Sequence, residues 1–173
     1  EEFRVALVEG HSMEGFFIEK DTRGKFVGNL YKAIIAHIQP SLQAAFVNYG
    51  TDRNGFLPFP EIHPEYYQSE PSESPKIQDV IAPGQEVLVQ VVKEEIGTKG
   101  ALLTTYISLA GRDIVLMPGQ SQRGVSRKIE DDSQRERLKE LAKDLNIPED
   151  LGIIIRTVAE NQTKRGIAKD LNH

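Results

Sequence analysis

The stretch "AAFVNYGTDRNGFLPFPEI", residues 44–62, predicts a β-hairpin and decides the fold class of the region around it. Two short apolar segments flank a turn rich in Gly, Asp and Asn, and alternation along them points Ala45 and Leu57 to one face. The same alternation points Phe46 and Phe56 to the opposite, water-facing side. The segment therefore predicts two strands that present aromatic rings on the outside of a sheet.

Strand-like segments continue on both sides of this hairpin, so that five strands are predicted between Lys25 and Ala110. Their ranges are 27–38, 42–49, 55–58, 86–93 and 101–109. Short strands separated by glycine and proline turns favour a small closed barrel. The segment "QSEPSESPK" at 68–76 is typical of a solvated loop.

The barrel region is flanked by two units of different composition. Residues 1–24 predict a hairpin with its turn at "EGHS". After Ala110, a short strand and a Gly/Gln/Ser loop precede a helix over about 133–145, for which Ser133 and Glu136 have capping-box spacing. A buried strand, "GIIIRTVA", and the beginning of a second helix follow. The fold class is therefore α+β, and mostly β.

Composition limits the possible functions. The 173-residue chain has no cysteine, which excludes disulfides and thiolate metal sites. It has no apolar run near the roughly 18 residues that span a bilayer, so we expect no membrane span and a cytoplasmic protein. A net charge of −5 argues against a protein that coats itself in polyanion, so nucleic-acid binding must depend on local clusters of basic residues.

The outward rings of the hairpin are candidates for such local binding. A five-stranded OB barrel binds single-stranded nucleic acid on its second and third strands, and exposed aromatic rings stack on bases for about 1–3 kcal/mol each. Phe46 and Phe56 lie on these strands, and Lys99, expected to open the last strand, is placed to meet a backbone phosphate. The alternative is that either ring packs under the inserted loop or against a neighbouring domain.

Four blocks of sequence carry a resemblance to a known family. They are "IQPSLQAAFVNYGTDRNGFLPFPEI", "GQEVLVQVVKEEIGTKGALLTTYISLAGR", "GVSRKIEDD" and "GIIIRT", in this order. Together they resemble the amino-terminal region of the ribonuclease E/G family of endoribonucleases over nearly the whole chain. The resemblance implies a five-stranded S1-type OB barrel at 25–109, inserted in a split RNase H-like subdomain that begins with 1–24. It implies an incomplete α/β 5′-sensor region at 110–173.

The resemblance also implies a function and a set of binding residues. We expect this chain to bind single-stranded RNA and its 5′-monophosphate within a magnesium-dependent, homo-oligomeric endoribonuclease of RNA processing and decay. The catalytic aspartates would lie in a later DNase I-like domain, so this chain would be inactive alone and would hold no cofactor. The implied RNA-binding residues are Phe46, Phe56 and Lys99, and the implied 5′-phosphate site consists of Arg127, Arg156, Thr157, Gly111 and Val115.

The chemistry of these residue types agrees with the implied phosphate site. A guanidinium fork binds a phosphate through two parallel charged hydrogen bonds, and a neighbouring hydroxyl adds a donor. From the residues alone, a salt bridge between Arg156 and Glu160 is the alternative. The alternative function is a stand-alone OB-fold binding module without end recognition. Such a module would not need the segments "VSRKI" and "IIIRT".

Other titratable residues give no catalytic or metal pattern. The four histidines share no ligand spacing; they are His11, His37, His63 and His173. Glu94 and Glu95 are expected to point to opposite faces of a strand, which would prevent them from sharing an ion. Asp131 and Asp132 precede a predicted helix, where carboxylates favour the positive end of the helix dipole. We therefore predict no catalytic and no metal-binding residues in this chain.

Overall fold

The computed structural model describes residues 2–9, 12–20, 26–70, 73–145 and 147–171. Strand β1 (Glu2–Glu9) pairs antiparallel with β2 (Ser12–Lys20), with Glu2 opposite Lys20. The predicted amino-terminal hairpin is therefore confirmed as a pair of strands. Its turn, at residues 10–11, lies outside the described residues.

Five strands then form a closed barrel in the order β3-β4-β5-β7-β6. Their bounds are β3 (Leu30–Gln39), β4 (Ala44–Asn48), β5 (Gly55–Pro58), β6 (Glu86–Lys93) and β7 (Leu102–Thr104). All neighbours are antiparallel except β5 and β7, which are parallel and close the barrel. The predicted five-stranded barrel is confirmed.

The barrel core follows the predicted alternation. Ala45, Val47 and Leu57 are fully buried, as is Leu103 of β7. Gly55 lies where β5 approaches β7, and a Cβ at this position would overlap the Leu103 side chain. Glycine is therefore required for the close approach of the two parallel strands.

The last barrel strand is shorter than the predicted range of 101–109. β7 ends at Thr104, whose hydroxyl accepts a hydrogen bond from the Tyr106 backbone at 3.0 Å. Thr105 turns instead toward Glu61 and donates to its carbonyl from both the backbone (2.9 Å) and the hydroxyl (3.0 Å). Local side-chain bonds of threonine thus replace the strand ladder, as they often do.

The connection between β5 and β6 covers one end of the barrel. It contains the 3₁₀ helices Phe59–Glu61 and Pro64–Tyr66 and the short helix α1 (Ile77–Val80). Ile77 and Val80 are buried in the barrel core. The inserted segment therefore contributes to the core of the barrel.

A second unit follows the barrel and consists of a sheet with two helices. Its elements are β8 (Leu109–Ala110), β9 (Ile114–Pro118), β10 (Arg123–Val125), α2 (Asp132–Asp144), β11 (Leu151–Ile155) and α3 (Lys164–Leu171). The sheet order is β10-β11-β9-β8, in which β10 and β11 are parallel. Leu138 of α2 and Ile167 of α3 are fully buried with Ile153 and Ile155 in a core separate from that of the barrel. The α+β, mostly β fold class is confirmed.

The start of α2 differs from the predicted capping box of Ser133 and Glu136. Asp131 is the N-cap, and its Oδ1 accepts hydrogen bonds from the Gln134 backbone at 2.9 Å and the Ser133 hydroxyl at 2.6 Å. An aspartate two residues upstream caps as well as serine, and here it uses the serine hydroxyl as a second donor. The Ser133 and Gln134 hydrogen bonds lower the pKa of Asp131.

We predict that Asp131→Ala lowers the melting temperature of the second unit at pH 7. Because the folded-state pKa is lowered, the stabilisation exists above the unfolded-state pKa and is lost as pH falls through the folded-state pKa. Thermal unfolding followed by circular dichroism at neutral and acidic pH measures the difference between wild type and variant. Asp131→Asn, which keeps an acceptor, is the control and should retain most of the stability at pH 7. A difference in melting temperature between wild type and Asp131→Ala that does not change with pH would contradict the role of the charged cap.

Candidate nucleic-acid interface

A single groove on the barrel surface brings together Phe46, Phe56 and Lys99. The groove has a volume of about 740 Å³. Phe46 and Phe56 face each other across the β4–β5 ladder, with ring centroids 5.8 Å apart at 66°. The sequence predicted these three residues for one interface, and the structure places them on one surface.

The two phenylalanine rings are half-buried, although they point outward. Neither belongs to the barrel core. The exposed His37 ring stacks on Phe46 at a centroid distance of 4.6 Å and an angle of 14°. Three rings therefore run side by side across β3, β4 and β5, in the order His37, Phe46, Phe56.

Sequence reasoning missed His37 as part of this surface. Strict alternation along β3 puts His37 on the same side as the buried Ala33 and Ile35. A bulge lies between Ile35 and His37 in the pairing with β4, and it turns the histidine outward. A bulge leaves no clear mark in the sequence, so periodicity alone could not have found this residue.

Lys99 lies in a tight turn, three residues before the last barrel strand begins at Leu102. The prediction that Lys99 opens that strand was therefore wrong. Ile96 and Lys99 exchange backbone hydrogen bonds of 3.2 and 3.0 Å, and Gly97 adopts a left-handed φ of 59° between them. Glycine favours this conformation because it has no Cβ. The turn holds the exposed Lys99 over the groove, beside Ile96, which is 73% exposed.

A second group of predicted residues gathers in the sheet unit, where β10 and β11 end side by side. These parallel strands pair Val125 with Ile155, and the Ser126 backbone donates to the Ile155 carbonyl at 2.8 Å. Arg127 follows Ser126, and Arg156 follows Ile155. Both arginines are exposed. Neighbouring strands lie about 4.8 Å apart, so the register brings the two arginines to the same edge of the sheet.

Arg156 is oriented by backbone carbonyls. Its Nη1 donates to Gly111 O at 2.6 Å and to Arg112 O at 3.3 Å, so Gly111 and Arg156 lie in contact. Arg156 is also the N-cap of a 3₁₀ helix, Thr157–Ala159, that begins with the exposed Thr157. The predicted strand, expected to finish in Arg156 and Thr157, therefore ends before both residues, at Ile155.

The alternative partner of Arg156 is not found. The described residues contain no ion pair between Arg156 and Glu160. A guanidinium group has five N–H donors, and the two carbonyls occupy only Nη1. Donors of Arg156 thus remain for a ligand.

The turn that carries Gly111 is held by a residue that sequence reasoning missed. The Asp170 carboxylate of α3 accepts hydrogen bonds from the backbones of Arg112 (3.2 Å), Asp113 (2.8 Å) and Ile114 (3.2 Å). A Cβ on Gly111 would lie 2.7 Å from Asp170 Oδ2, so a side chain at this position would displace the carboxylate that holds the turn. Val115 follows on β9, half-buried and paired with Ile154.

The loop that carries Arg127 is braced by another arginine. Arg135 Nη1 donates to the carbonyls of Ser126 at 3.1 Å and Ile129 at 2.9 Å, on both sides of Arg127. Arg123, in contrast, donates to the Lys143 and Ile147 carbonyls and supports the end of α2. Arg123 and Arg135 therefore act as structural braces, whereas Arg127 and Arg156 are exposed at the ends of the paired strands.

The prediction that Glu94 and Glu95 point to opposite faces of a strand was wrong. β6 ends at Lys93, so strand alternation does not separate the two carboxylates. Both line a second cavity of about 360 Å³, together with Tyr49 and Asp52. Glu94 accepts from the Phe26 backbone at 3.0 Å and Glu95 from the Tyr49 hydroxyl at 3.3 Å. Among the described residues, no three His, Cys, Asp or Glu side chains are grouped so that they could hold a metal ion.

Comparison with known proteins agrees with this division into a barrel and a sheet unit. Residues 25–105 match the S1 RNA binding domain, and residues 108–173 match the ribonuclease E/G family. The barrel is thus an S1-type RNA-binding domain. No helix in the described residues is long and apolar enough to cross a membrane.

Relatives with similar sequences carry both units. Ribonuclease E of Escherichia coli (strain K12) is 47% identical over 175 residues, which cover 99% of this chain and 16% of that protein. Ribonuclease E of Haemophilus influenzae is 45% identical over 99% of this chain and 18% of that protein. Ribonuclease G of Salmonella typhimurium is 41% identical over 98% of this chain and 35% of that protein.

The chain thus combines an S1 domain with a domain of the ribonuclease E/G family, and it is similar over nearly its whole length to ribonucleases E and G. It spans less than a fifth of the ribonuclease E relatives, 16% and 18% of their lengths.

We predict that Phe46→Ala and Phe56→Ala each weaken binding of single-stranded RNA by about 1–3 kcal/mol, because a base loses its stacking partner. Neither change should greatly lower the melting temperature, since both rings lie outside the barrel core. Fluorescence anisotropy with labelled RNA measures binding, and circular dichroism measures stability.

Phe26→Ala is the matched control for these two variants. Phe26 is 41% exposed and lines the other cavity, so its removal should leave RNA affinity unchanged. Unfolding of both Phe46→Ala and Phe56→Ala would show that the rings are structural, and unchanged affinity of both folded variants would exclude the groove as the RNA site.

Proposed function

We propose that this chain binds single-stranded RNA on its S1 barrel and captures the 5′-monophosphate of the same RNA at the edge of its sheet unit. The observation that carries the proposal is the parallel β10–β11 pair, which brings Arg127 and Arg156 to one edge with exposed guanidinium groups. Thr157 follows directly and offers a hydroxyl. Gly111 and Val115 would line the position of the terminal nucleotide.

The charges and donors of this edge suit a terminal phosphate. A 5′-monophosphate carries close to two negative charges at neutral pH, and each arginine can meet two of its oxygens with parallel hydrogen bonds. The Gly111 and Arg112 carbonyls hold one end of the Arg156 guanidinium and so reduce the cost of orienting it. A 5′-hydroxyl offers no such charge, which makes the site selective for the phosphorylated end.

The groove suits the body of the RNA strand. Its half-buried rings give stacking surfaces that do not depend on base identity, and Lys93 and Lys99 place positive charge along the same groove. Glu94 lines the groove as well and moderates that charge. We therefore expect weak, salt-sensitive binding with little sequence preference.

We propose that this chain belongs to a longer enzyme, a magnesium-dependent, homo-oligomeric endoribonuclease. That enzyme would act in the cytoplasm in RNA processing and decay. The relatives are named ribonuclease E and ribonuclease G, which supports the reaction class. The residues that the structure describes do not fit a magnesium centre, because none of their acidic side chains form a group of three. We assign no step of cleavage to these residues.

We accordingly predict that the purified chain does not cleave RNA when Mg²⁺ is added. Incubation of labelled single-stranded RNA with the chain, followed by gel electrophoresis, measures cleavage. The variant Phe46→Ala controls for a contaminating nuclease, because cleavage by a contaminant would persist unchanged in that preparation. Cleavage by wild type that falls with RNA binding in Phe46→Ala would contradict the prediction.

Recognition of the 5′ end is tested by comparing RNAs that differ only at that end. We predict that the chain binds 5′-monophosphorylated RNA about tenfold more tightly than 5′-hydroxyl RNA at low salt, since a charged hydrogen bond contributes about 1.5–3 kcal/mol and solvent screens part of it. Arg156→Ala should abolish the preference and leave 5′-hydroxyl RNA binding nearly unchanged. Arg156→Lys should restore part of it, because an ammonium group keeps the charge but loses the fork.

The control for these variants is Arg165→Ala, which removes an exposed arginine of α3 that has no role in the proposed site. It should keep the full preference. Equal affinity of the wild-type chain for both RNAs would favour the alternative function, a stand-alone OB-fold module without end recognition.

A further inference from the structure

A histidine of the barrel makes a direct contact with the sheet unit. His63 precedes the 3₁₀ helix Pro64–Tyr66, and its Nε2 lies 2.8 Å from the carbonyl oxygen of Gly119, in the loop between β9 and β10. None of the RNA-binding or phosphate-binding residues takes part in this contact. It is a feature that neither strand alternation nor ligand spacing indicated.

The hydrogen bonds around His63 define what each ring nitrogen does. Nδ1 accepts a hydrogen bond from the Glu65 backbone at 3.2 Å, so in the neutral ring the proton lies on Nε2. Nε2–H then donates to the Gly119 carbonyl. The Tyr106 ring contacts the His63 ring edge-on, with ring centroids 5.2 Å apart and an interplanar angle of 73°.

Gly119 packs closely against the His63 ring. Its φ of 74° is left-handed, and a Cβ at this position would lie 3.2 Å from His63 Nε2. The backbone of Gly119 also donates to the Asp150 carbonyl at 2.8 Å, which ties the contact to the segment before β11. Movement of His63 relative to Gly119 would thus affect β11, the strand that is followed directly by Arg156.

A second attachment lies where the chain passes from the barrel to the sheet. The buried Gln90 of β6 donates to the Ser108 carbonyl at 2.8 Å and accepts from the Ser108 backbone at 2.9 Å and hydroxyl at 3.1 Å. An attachment at the crossing point alone would not prevent rotation of the sheet unit about it. The His63–Gly119 contact is separate from this pivot and opposes that rotation.

We propose that His63 is a positioning residue that fixes the sheet unit relative to the barrel so that one RNA strand reaches the groove and the 5′-phosphate site together. This inference rests on the proposed function. Two sites that act on one ligand increase its affinity through effective concentration, which is high only when their geometry matches the span of the ligand. Loss of the fixed orientation would lower that gain and leave each separate site intact.

Two substitutions separate the Gly119 contact from the local role of His63. Asn in place of His63 keeps an acceptor near the Nδ1 position for the Glu65 backbone but is too short to reach Gly119. Gln places its amide nitrogen near the Nε2 position and keeps the donor to Gly119. His63→Asn should therefore lose the orientation, and His63→Gln should keep it.

The orientation itself is measured without RNA. The chain has no cysteine, so spin labels can be placed at two exposed positions, Ala36→Cys on β3 and Glu140→Cys on α2. Pulsed electron paramagnetic resonance then gives the distribution of distances between barrel and sheet unit. We expect a narrow distance distribution for the wild-type chain and for His63→Gln, and a broad distance distribution for His63→Asn. Equally narrow distributions in all three would overturn the proposal.

The effect on binding is measured with 5′-monophosphorylated and 5′-hydroxyl RNAs of about 12 nucleotides, within the range that one OB fold binds. We expect His63→Asn to bind the 5′-hydroxyl RNA as wild type does, while its preference for the phosphorylated RNA falls from about tenfold to about threefold or less. His63→Gln should retain most of the preference. A His63→Asn chain with a broad distance distribution and the full preference would also overturn the proposal.

The two measurements distinguish failure of this inference from failure of the proposed function. If the wild-type chain shows no preference for the phosphorylated RNA, the proposed function is wrong, and the role of His63 in RNA binding is wrong with it. If the wild-type preference is present and His63→Asn retains it, only the inference about His63 is wrong.

Discussion

The close approach of β5 to β7 is the constraint on which the RNA-binding surface depends. The two parallel strands meet through Gly55, where a Cβ would overlap Leu103, and through Gly100, where a Cβ would overlap the Asn54 carbonyl. Without this approach the barrel would stay open between its third and last strands. The β4–β5 ladder sets Phe46 opposite Phe56, and the pairing of β5 with β7 brings the Ile96–Lys99 turn beside them.

The edge that we propose for the 5′-phosphate depends on a different kind of constraint, the register of a short parallel pair. Three residues of β10 pair with β11, and the strands end together at Val125 and Ile155. The arginines that follow are therefore set by backbone hydrogen bonds, and Arg135 and Asp170 hold the two adjoining loops. Rigid strands and braced loops keep donors in place before a ligand arrives, which lowers the cost of binding.

Sequence patterns were sufficient where burial alternates regularly. Ala45, Val47 and Leu57 could be assigned to the core, and the outward direction of Phe46 followed from the same alternation. The helix α2 was recognised from its apolar face, which Leu138 confirms. These features are local, so a single sequence carries them.

Patterns failed where a side chain competes with the backbone or where distant segments meet. Asp131 replaced Ser133 as the cap, and Thr105 ended the last barrel strand by bonding to Glu61. The contacts of Arg156 with Gly111 and of His63 with Gly119 join residues 45 and 56 positions apart. No spacing rule connects such residues. The family resemblance named the residues of the proposed phosphate site, and it said nothing of His63 or His37.

The central claim is that one RNA strand occupies the barrel groove and the sheet edge of this chain at the same time. The most direct measurement is a crystal structure of the chain with a 5′-monophosphorylated single-stranded RNA. The predicted result is a terminal phosphate between Arg127 and Arg156, with bases of the same strand stacked on Phe46 and Phe56. A phosphate bound elsewhere, or a strand that leaves the groove empty, would contradict the claim.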